Sequence, residues 1–113
     1  TIGRVWPDLL GGDTVTLYEG DYGTLEKYTT YNANPADLFT DWVTFKEADG
    51  ETATLEHIYI GTGTVAAEDV TQGRKGTYDA YLKFQDLTIE DGVIFQNARY
   101  WELNGCLVER YGP

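Results

Sequence analysis

Three Asx-Gly dipeptides divide this sequence: Asp49-Gly50, Asp91-Gly92 and Asn104-Gly105. Each lies between segments rich in β-branched and aromatic residues, which favour strands. Because the tight turns of β-hairpins require positive φ, Asx-Gly between such segments is a strong hairpin signal. Three hairpins are predicted in this way: 43–48 with 52–62, 77–89 with 93–103, and 93–103 with 106–111. A further antiparallel pair is predicted upstream, from Thr14–Glu19 and Leu25–Tyr31.

One short helix is predicted at about residues 35–42. Asn34 can cap its N-terminus, and Pro35 suits the first helical position because its missing N–H is not needed there. Leu38 and Trp42 are four residues apart, so they would share one face of the helix.

The predicted strands 52–62, 77–89 and 93–103 carry apolar residues on both faces. An antiparallel sheet with one solvated face should instead alternate apolar and polar residues. Two explanations stay open: both faces are covered within the chain, by the helix or by closure into a barrel, or one face contacts another subunit. We therefore predict a mainly β, antiparallel meander of six to seven strands, forming a small barrel or a strongly curved sheet. A chain of 113 residues suits a single domain, residues 1–113, and no repeat of solenoid period is recognised.

The charge balance restricts the partners. Nineteen acidic and eight basic residues give a formal net charge of −11. Binding to nucleic acid or to anionic lipid depends on basic residues, so neither is expected. No apolar run approaches the roughly 20 residues that span a bilayer, so a soluble chain is expected. The chain given has no signal-like start, but a leader cleaved before Thr1 would leave no trace, so the localisation is left open. Cys106 is the only cysteine, which excludes an intrachain disulfide.

Catalytic motifs are missing from the sequence. It has no nucleophile elbow, zinc-protease motif, phosphate loop or CxxC pair. His57 is the only histidine, so no multi-histidine metal centre can form, and neither a metal nor a cofactor is expected. His57 is either a general base beside Tyr59 or a strand residue bonded to its neighbours.

Aromatic residues are the main candidates for binding, because rings bury a large area with few rotatable bonds. Seven candidate binding or interface residues are predicted: His57, Tyr59, Tyr81, Gln96, Arg99, Tyr100 and Trp101. They suggest a non-catalytic assembly or binding domain that acts through an aromatic sheet face. Its partner would be another copy of the chain or another protein, and an acidic ring or tube is one form.

Two alternative functions stay open. The first is a barrel that binds a small apolar ligand, as a carrier or as a cofactor-free isomerase, cyclase or hydro-lyase that uses His57. The second is carbohydrate binding by stacking on Trp and Tyr.

The stretch from Phe84 to Ile94 and on to Trp101 locally resembles the last hairpin of cone-shaped domains of the nuclear-transport-factor-2 type. That resemblance implies an antiparallel hairpin around Asp91-Gly92. The predicted order of elements also resembles small β-barrel subunits of phage tails and secretion tubes. Neither resemblance rests on a specific motif.

Overall fold

The computed structural model describes residues 6–29, 38–62 and 78–109. A 3-10 turn at Trp6–Asp8 precedes eleven strands in these residues. The strands form four successive rungs: β1 (Thr14–Leu17), β2 (Gly20–Asp21) and β3 (Thr24–Thr29); β4 (Val43–Glu47), β5 (Ala53–Leu55) and β6 (His57–Thr62); β7 (Tyr78–Gln85), β8 (Thr88–Ile89) and β9 (Val93–Gln96); β10 (Ala98–Asn104) and β11 (Leu107–Val108). Each strand pairs in parallel with the corresponding strand of the next rung.

Three parallel sheets result from this stacking. Sheet A has the order β1-β4-β7-β10, sheet B has the order β11-β8-β5-β2, and sheet C has the order β3-β6-β9. The chain passes through each sheet in turn, so the molecule is a parallel β-solenoid. The predicted antiparallel meander, barrel or curved sheet is therefore wrong, although the mainly β composition is confirmed.

The solenoid has no fixed sequence period, which explains why no repeat is recognised. In sheet A, Thr44 stacks on Thr14, Lys83 on Thr44, and Glu102 on Lys83. We call residues aligned in this way across successive strands of one sheet a row. Successive members of this row are therefore 30, 39 and 19 residues apart in the sequence. The stacking repeats in space while the length of chain between stacked residues changes at every rung.

The predicted hairpins do not form, although their turns lie where expected. Gly50, Gly92 and Gly105 have φ values of 76°, 95° and 67°, as the Asx-Gly signal requires. At these turns the chain passes into the next sheet instead of pairing with itself. The backbone after each strand bonds to a neighbouring rung: Ala48 N donates to Leu17 O at 2.8 Å, and Leu107 N donates to Leu87 O at 3.0 Å. Over the described residues, the hairpins 43–48 with 52–62, 77–89 with 93–103 and 93–103 with 106–111 are thus wrong, as is the pair 14–19 with 25–31. Residues 30, 31, 77, 110 and 111 of these predictions lie outside the described ranges.

The corners also explain the apolar residues on both faces of the long predicted strands. Segment 52–62 turns at Glu56, and its buried residues change from positions 53 and 55 to positions 58, 60 and 62. Segment 77–89 turns at Asp86, with Leu82 and Phe84 buried before the corner and Leu87 after it. A corner residue shifts the strand alternation by one position, so a single inward face looks two-sided when the segment is read as one straight strand.

Residues 38–42 are not helical. The predicted helix at 35–42 is wrong over this part, while residues 34–37 lie outside the described ranges. The backbone here bonds to other rungs: Leu38 N donates to Asp79 O at 2.9 Å, and Trp42 O accepts from Gly12 N at 2.8 Å. These bonds replace the intrahelical ones, and Leu38 and Phe39 pack against the core.

The interior is a stack of apolar side chains that runs along the solenoid. Phe45 of β4 stacks on Phe84 of β7, with ring centroids 5.5 Å apart and planes within 16°. Trp6 stacks on Phe45 from the N-terminal side, at 6.0 Å and 15°. Burying each such side chain contributes about 1.5–3 kcal/mol, so stacking between rungs is the main source of stability.

Gly61 offers a direct test of the stacking between β6 and β9. A Cβ at Gly61 would lie within van der Waals overlap of the Gln96 backbone, whereas a Cβ at Gly50 would meet nothing within 4 Å. Both glycines have positive φ. We expect Gly50→Ala to cost about 1 kcal/mol through φ strain alone and Gly61→Ala at least about 3 kcal/mol, measured by urea unfolding. Equal losses would contradict the parallel pairing of β6 with β9.

Candidate binding surfaces

The structure divides the seven predicted residues among three places. Tyr81, Arg99 and Tyr100 lie on the outer face of sheet A. His57, Tyr59 and Gln96 lie on sheet C, on the side away from the interior. Trp101 is aligned with the buried Leu82 and faces inward, at the end of the solenoid. The seven residues therefore lie in three places and do not form one continuous sheet face.

On sheet A, the rings of Tyr81 and Tyr100 stack, with centroids 4.6 Å apart and planes within 11°. Trp42 packs edge-on against Tyr81 at 5.6 Å. Trp42 was assigned by sequence to a helix face, so its place beside Tyr81 was missed. The pairing of segment 38–42 with β7 could not be foreseen without knowledge of the parallel stacking.

Both stacked tyrosines adopt left-handed backbone conformations. Tyr81 has a φ of 53° and Tyr100 a φ of 61°. The register between β7 and β10 shifts between Arg99 and Trp101, where Tyr100 alone lies opposite Ala80 and Tyr81, so the extra residue of this bulge is in β7. Bulky residues rarely adopt positive φ, at a cost on the order of 1–3 kcal/mol each. The bulge turns Arg99 and Tyr100 to the same outer side.

Charged groups also contact two of these rings. The Arg99 guanidinium lies 5.6 Å from the Tyr100 ring and binds Asp79 at 2.9 Å. The Lys83 ammonium lies 5.0 Å from the Trp42 ring and 3.5 Å from the Glu102 carboxylate. A sugar that stacks on an aromatic residue needs an open ring face. The Tyr81 ring and the Arg99 guanidinium contact the Tyr100 ring, and Lys83 contacts the Trp42 ring, so these contacts compete with carbohydrate stacking on sheet A.

On sheet C, His57 is held by the backbone. Its Nδ1 donates to Gly92 O at 2.8 Å, which assigns the proton of the neutral ring to Nδ1 and leaves Nε2 as an acceptor. The ring lies 5.9 Å from that of Tyr59. Ile58 and Ile60, on the other side of the same strand, are fully buried and fill the interior there. The barrel alternative placed His57 in an enclosed cavity, and the solenoid does not provide that arrangement.

Tyr59 pairs with Tyr28 of the rung before, ring edge to face at 4.4 Å. A hydrogen bond between the two hydroxyls raises the pKa of Tyr59, with smaller contributions from partial desolvation, Tyr28 itself and Glu26. The neutral phenol is therefore the form that the fold favours. Tyr59 is not an activated base.

No group of three or more His, Cys, Asp or Glu side chains suited to a metal ion occurs in residues 6–29, 38–62 and 78–109. The Cys106 thiol is free and donates to Phe84 O at 3.4 Å. Burial raises the pKa of Cys106, which keeps the thiol protonated and unreactive.

A surface that sequence reasoning missed lies at the C-terminal end of the stack. In register, Trp101 continues the row of Leu82, and Val108 continues the row of Ile89. Leu82 and Ile89 are 0% exposed, whereas Trp101 is 44% and Val108 43% exposed. We call the inward-facing residues of β9, β10 and β11 that are larger than alanine the end face: Val93, Phe95, Trp101, Leu103 and Val108. The rings of Phe95 and Trp101 stack at 4.3 Å with planes within 1°.

The opposite end of the solenoid is covered. Leu17 and Leu25, which face inward from the first rung, are each only 4% exposed. Trp6 packs there against Phe39 and Phe45, and the Lys27 ammonium lies 4.7 Å from the Trp6 ring. Only the C-terminal end of the described solenoid therefore leaves its inward-facing side chains exposed.

Charge is distributed unevenly along the chain. Residues 1–92 hold seventeen acidic and six basic residues, which accounts for the whole net charge of −11. Residues 93–113 hold two of each and are neutral overall. The end face thus lies in the neutral part of a strongly acidic chain.

Comparison with protein families, with curated proteins and with solved structures gave no match to this chain. Among the described residues, no helix has the length and apolar character needed to cross a membrane.

The pairing of the two tyrosines predicts a change in titration. Tyr28→Phe removes the hydroxyl that raises the pKa of Tyr59, so this pKa should fall toward its ordinary value of about 10. In the wild type the folded pKa exceeds the unfolded one. The stabilisation from this group is then complete below pH about 10 and is lost as the pH rises through the folded value.

NMR of 13C-labelled tyrosine rings measures this pKa directly. Tyr22→Phe is the control, because the Tyr22 hydroxyl donates to Tyr18 O at 2.9 Å, away from Tyr59. An unchanged titration of Tyr59 in Tyr28→Phe would show that the hydroxyls do not interact.

Proposed function

We propose that this chain is a non-catalytic assembly domain that self-associates through its end face. The observation that supports this most is the exposure of Trp101 and Val108 at 44% and 43%, in rows whose preceding members, Leu82 and Ile89, are completely buried. A further layer of apolar side chains on this end would bury them in the same way.

Solenoids require terminal units with polar outer surfaces if they are to remain monomeric. The end face has the opposite character, with two stacked aromatic rings and three aliphatic side chains. Apolar exposure of this kind, in one contiguous place, is typical of interaction sites. Burial of Trp is also among the strongest single contributions to protein interfaces.

The edge strands add a second source of affinity. β10 is the last strand of sheet A and has seven residues, Ala98–Asn104. No described strand pairs with its outer edge, so its backbone can accept another strand. Apolar contact and strand pairing would therefore act together at one surface.

The other functions receive less support. A ring or tube subunit needs two complementary surfaces, and the covered N-terminal end argues against a second one. The small-ligand function needs a cavity at His57, whereas Ile58 and Ile60 fill the interior behind it. Of the seven candidate residues, only Trp101 belongs to the end face, while the Tyr100 side chain faces outward.

Trp101→Asn should weaken self-association by about 2 kcal/mol or more, which corresponds to about a 30-fold rise in Kd. Sedimentation velocity over a wide concentration range measures this effect. High salt is included because a charge of −11 per copy opposes association until it is screened.

Tyr100→Asn is the matched control. Tyr100 is adjacent in sequence and 46% exposed, close to Trp101, but it faces outward. Asn also tolerates its positive φ. Val108→Asn, in sheet B, should reproduce the effect of Trp101→Asn. A wild type that is monomeric at every concentration and salt, or equal losses for Tyr100→Asn and Trp101→Asn, would contradict the proposal.

A further inference from the structure

We infer that the end face binds the same face of a second copy across a two-fold axis at Trp101, with β10 antiparallel to the β10 of that copy. This inference rests on the proposed function, and it specifies which surface of the partner is used. It predicts a closed dimer and excludes a growing filament.

The covered N-terminal end is the first argument. Head-to-tail stacking would place β10 of one copy on β1 of the next, where Leu17 and Leu25 are already 4% exposed. It would also bring the end face against the first rung, which carries Glu19, Asp21 and Glu26 beside one lysine. Two end faces, by contrast, are both exposed and both neutral. An interface formed by one surface with itself closes as a dimer.

The second argument is the order of faces along β10. Ala98 faces inward, Arg99 and Tyr100 face outward, Trp101 faces inward, Glu102 faces outward and Leu103 faces inward. This order reads the same from Trp101 in both directions if Arg99 and Tyr100, which are adjacent and face the same side, count as one position. A two-fold axis at Trp101 therefore places each inward-facing residue of β10 opposite an inward-facing residue of the second β10. Outward-facing residues likewise lie opposite each other, as antiparallel strands require.

Charge complementarity is the third argument. In this register Glu102 lies opposite Arg99 and Tyr100 of the second copy. The pair occurs twice, once on each side of the axis. Arg99 and Glu102 are the only charged residues of segment 93–108. Opposite charges placed directly across an antiparallel pair stabilise it, and like charges destabilise it.

The remaining edges also fit this arrangement. The axis through β10 exchanges the positions of sheets B and C, so β11 faces β9 of the second copy, and β9 faces β11. The chain rises by one strand spacing per rung. In the described residues sheets A and B have four strands, whereas sheet C has three. All three edge strands therefore obtain a partner at the same spacing.

A charge-swap mixing experiment tests the inference. Arg99→Glu gives a copy with two acidic residues on β10, and Glu102→Arg gives a copy with two basic residues. Each variant alone should dimerise at least about tenfold more weakly than the wild type. A 1:1 mixture should recover dimers, because each strand then opposes a strand of opposite charge. Sedimentation velocity gives the masses, and circular dichroism confirms that each variant is folded.

A second measurement covers the case in which Arg99→Glu does not fold. A spin label at Glu102→Cys, in a Cys106→Ser background, should show strong dipolar broadening in the dimer. A label at Lys46→Cys should show much less, since Lys46 lies on the same face but two rungs from β10. The arrangement is overturned if Trp101→Asn abolishes association but the 1:1 mixture stays monomeric, or if position 102 shows no broadening. The proposed function would then remain intact. A monomeric wild type would overturn both.

Discussion

The parallel stacking of one rung on the next is the interaction on which the rest of this structure depends. Each inward-facing side chain is covered by the aligned side chain of a neighbouring rung, as in the row of Phe45 and Phe84. Coverage on both sides is what takes Leu82 and Ile89 to zero exposure. The same rule leaves Trp101 and Val108 exposed, because no described rung follows them. Stability and the proposed association surface thus have one physical origin.

Stacking also determines which irregularities the backbone tolerates. Corners at Asp86 and Asn97 use left-handed conformations, with φ of 60° and 54°, that Asp and Asn adopt more readily than most residues. Asn97 is fixed further by its Nδ2, which donates to Thr62 O at 3.1 Å in the rung before. Gly105 has a φ of 67° and lies against the Asp86 carboxylate, which would have to turn aside for a Cβ at this position. The two left-handed tyrosines of sheet A obey the same logic, since each supports the ring of the other.

Sequence reasoning recovered the β composition and the positions of the turns, because β-branched residues and Asx-Gly pairs act locally. It failed on strand pairing, because a turn dipeptide specifies φ and does not specify the partner strand. Offsets of 30, 39 and 19 residues within one row concealed the repeat. Strict alternation would place Leu55, His57 and Tyr59 on one face, but the shift at Glu56 leaves Leu55 buried while the other two face outward. Trp101 was chosen as an aromatic residue, but its role at an uncovered end became visible only once the stack was known.

Nuclear Overhauser contacts between backbone protons in uniformly labelled protein test the stacking most directly. The account predicts contacts along rows that cross three rungs, such as Leu25 to Ile58 and Ile58 to Val93, with the pattern of parallel strands. Contacts across Asp49-Gly50 that pair β4 with β5 in an antiparallel ladder would contradict it. They would return the chain to a meander of hairpins, and the end face would then no longer exist as a surface.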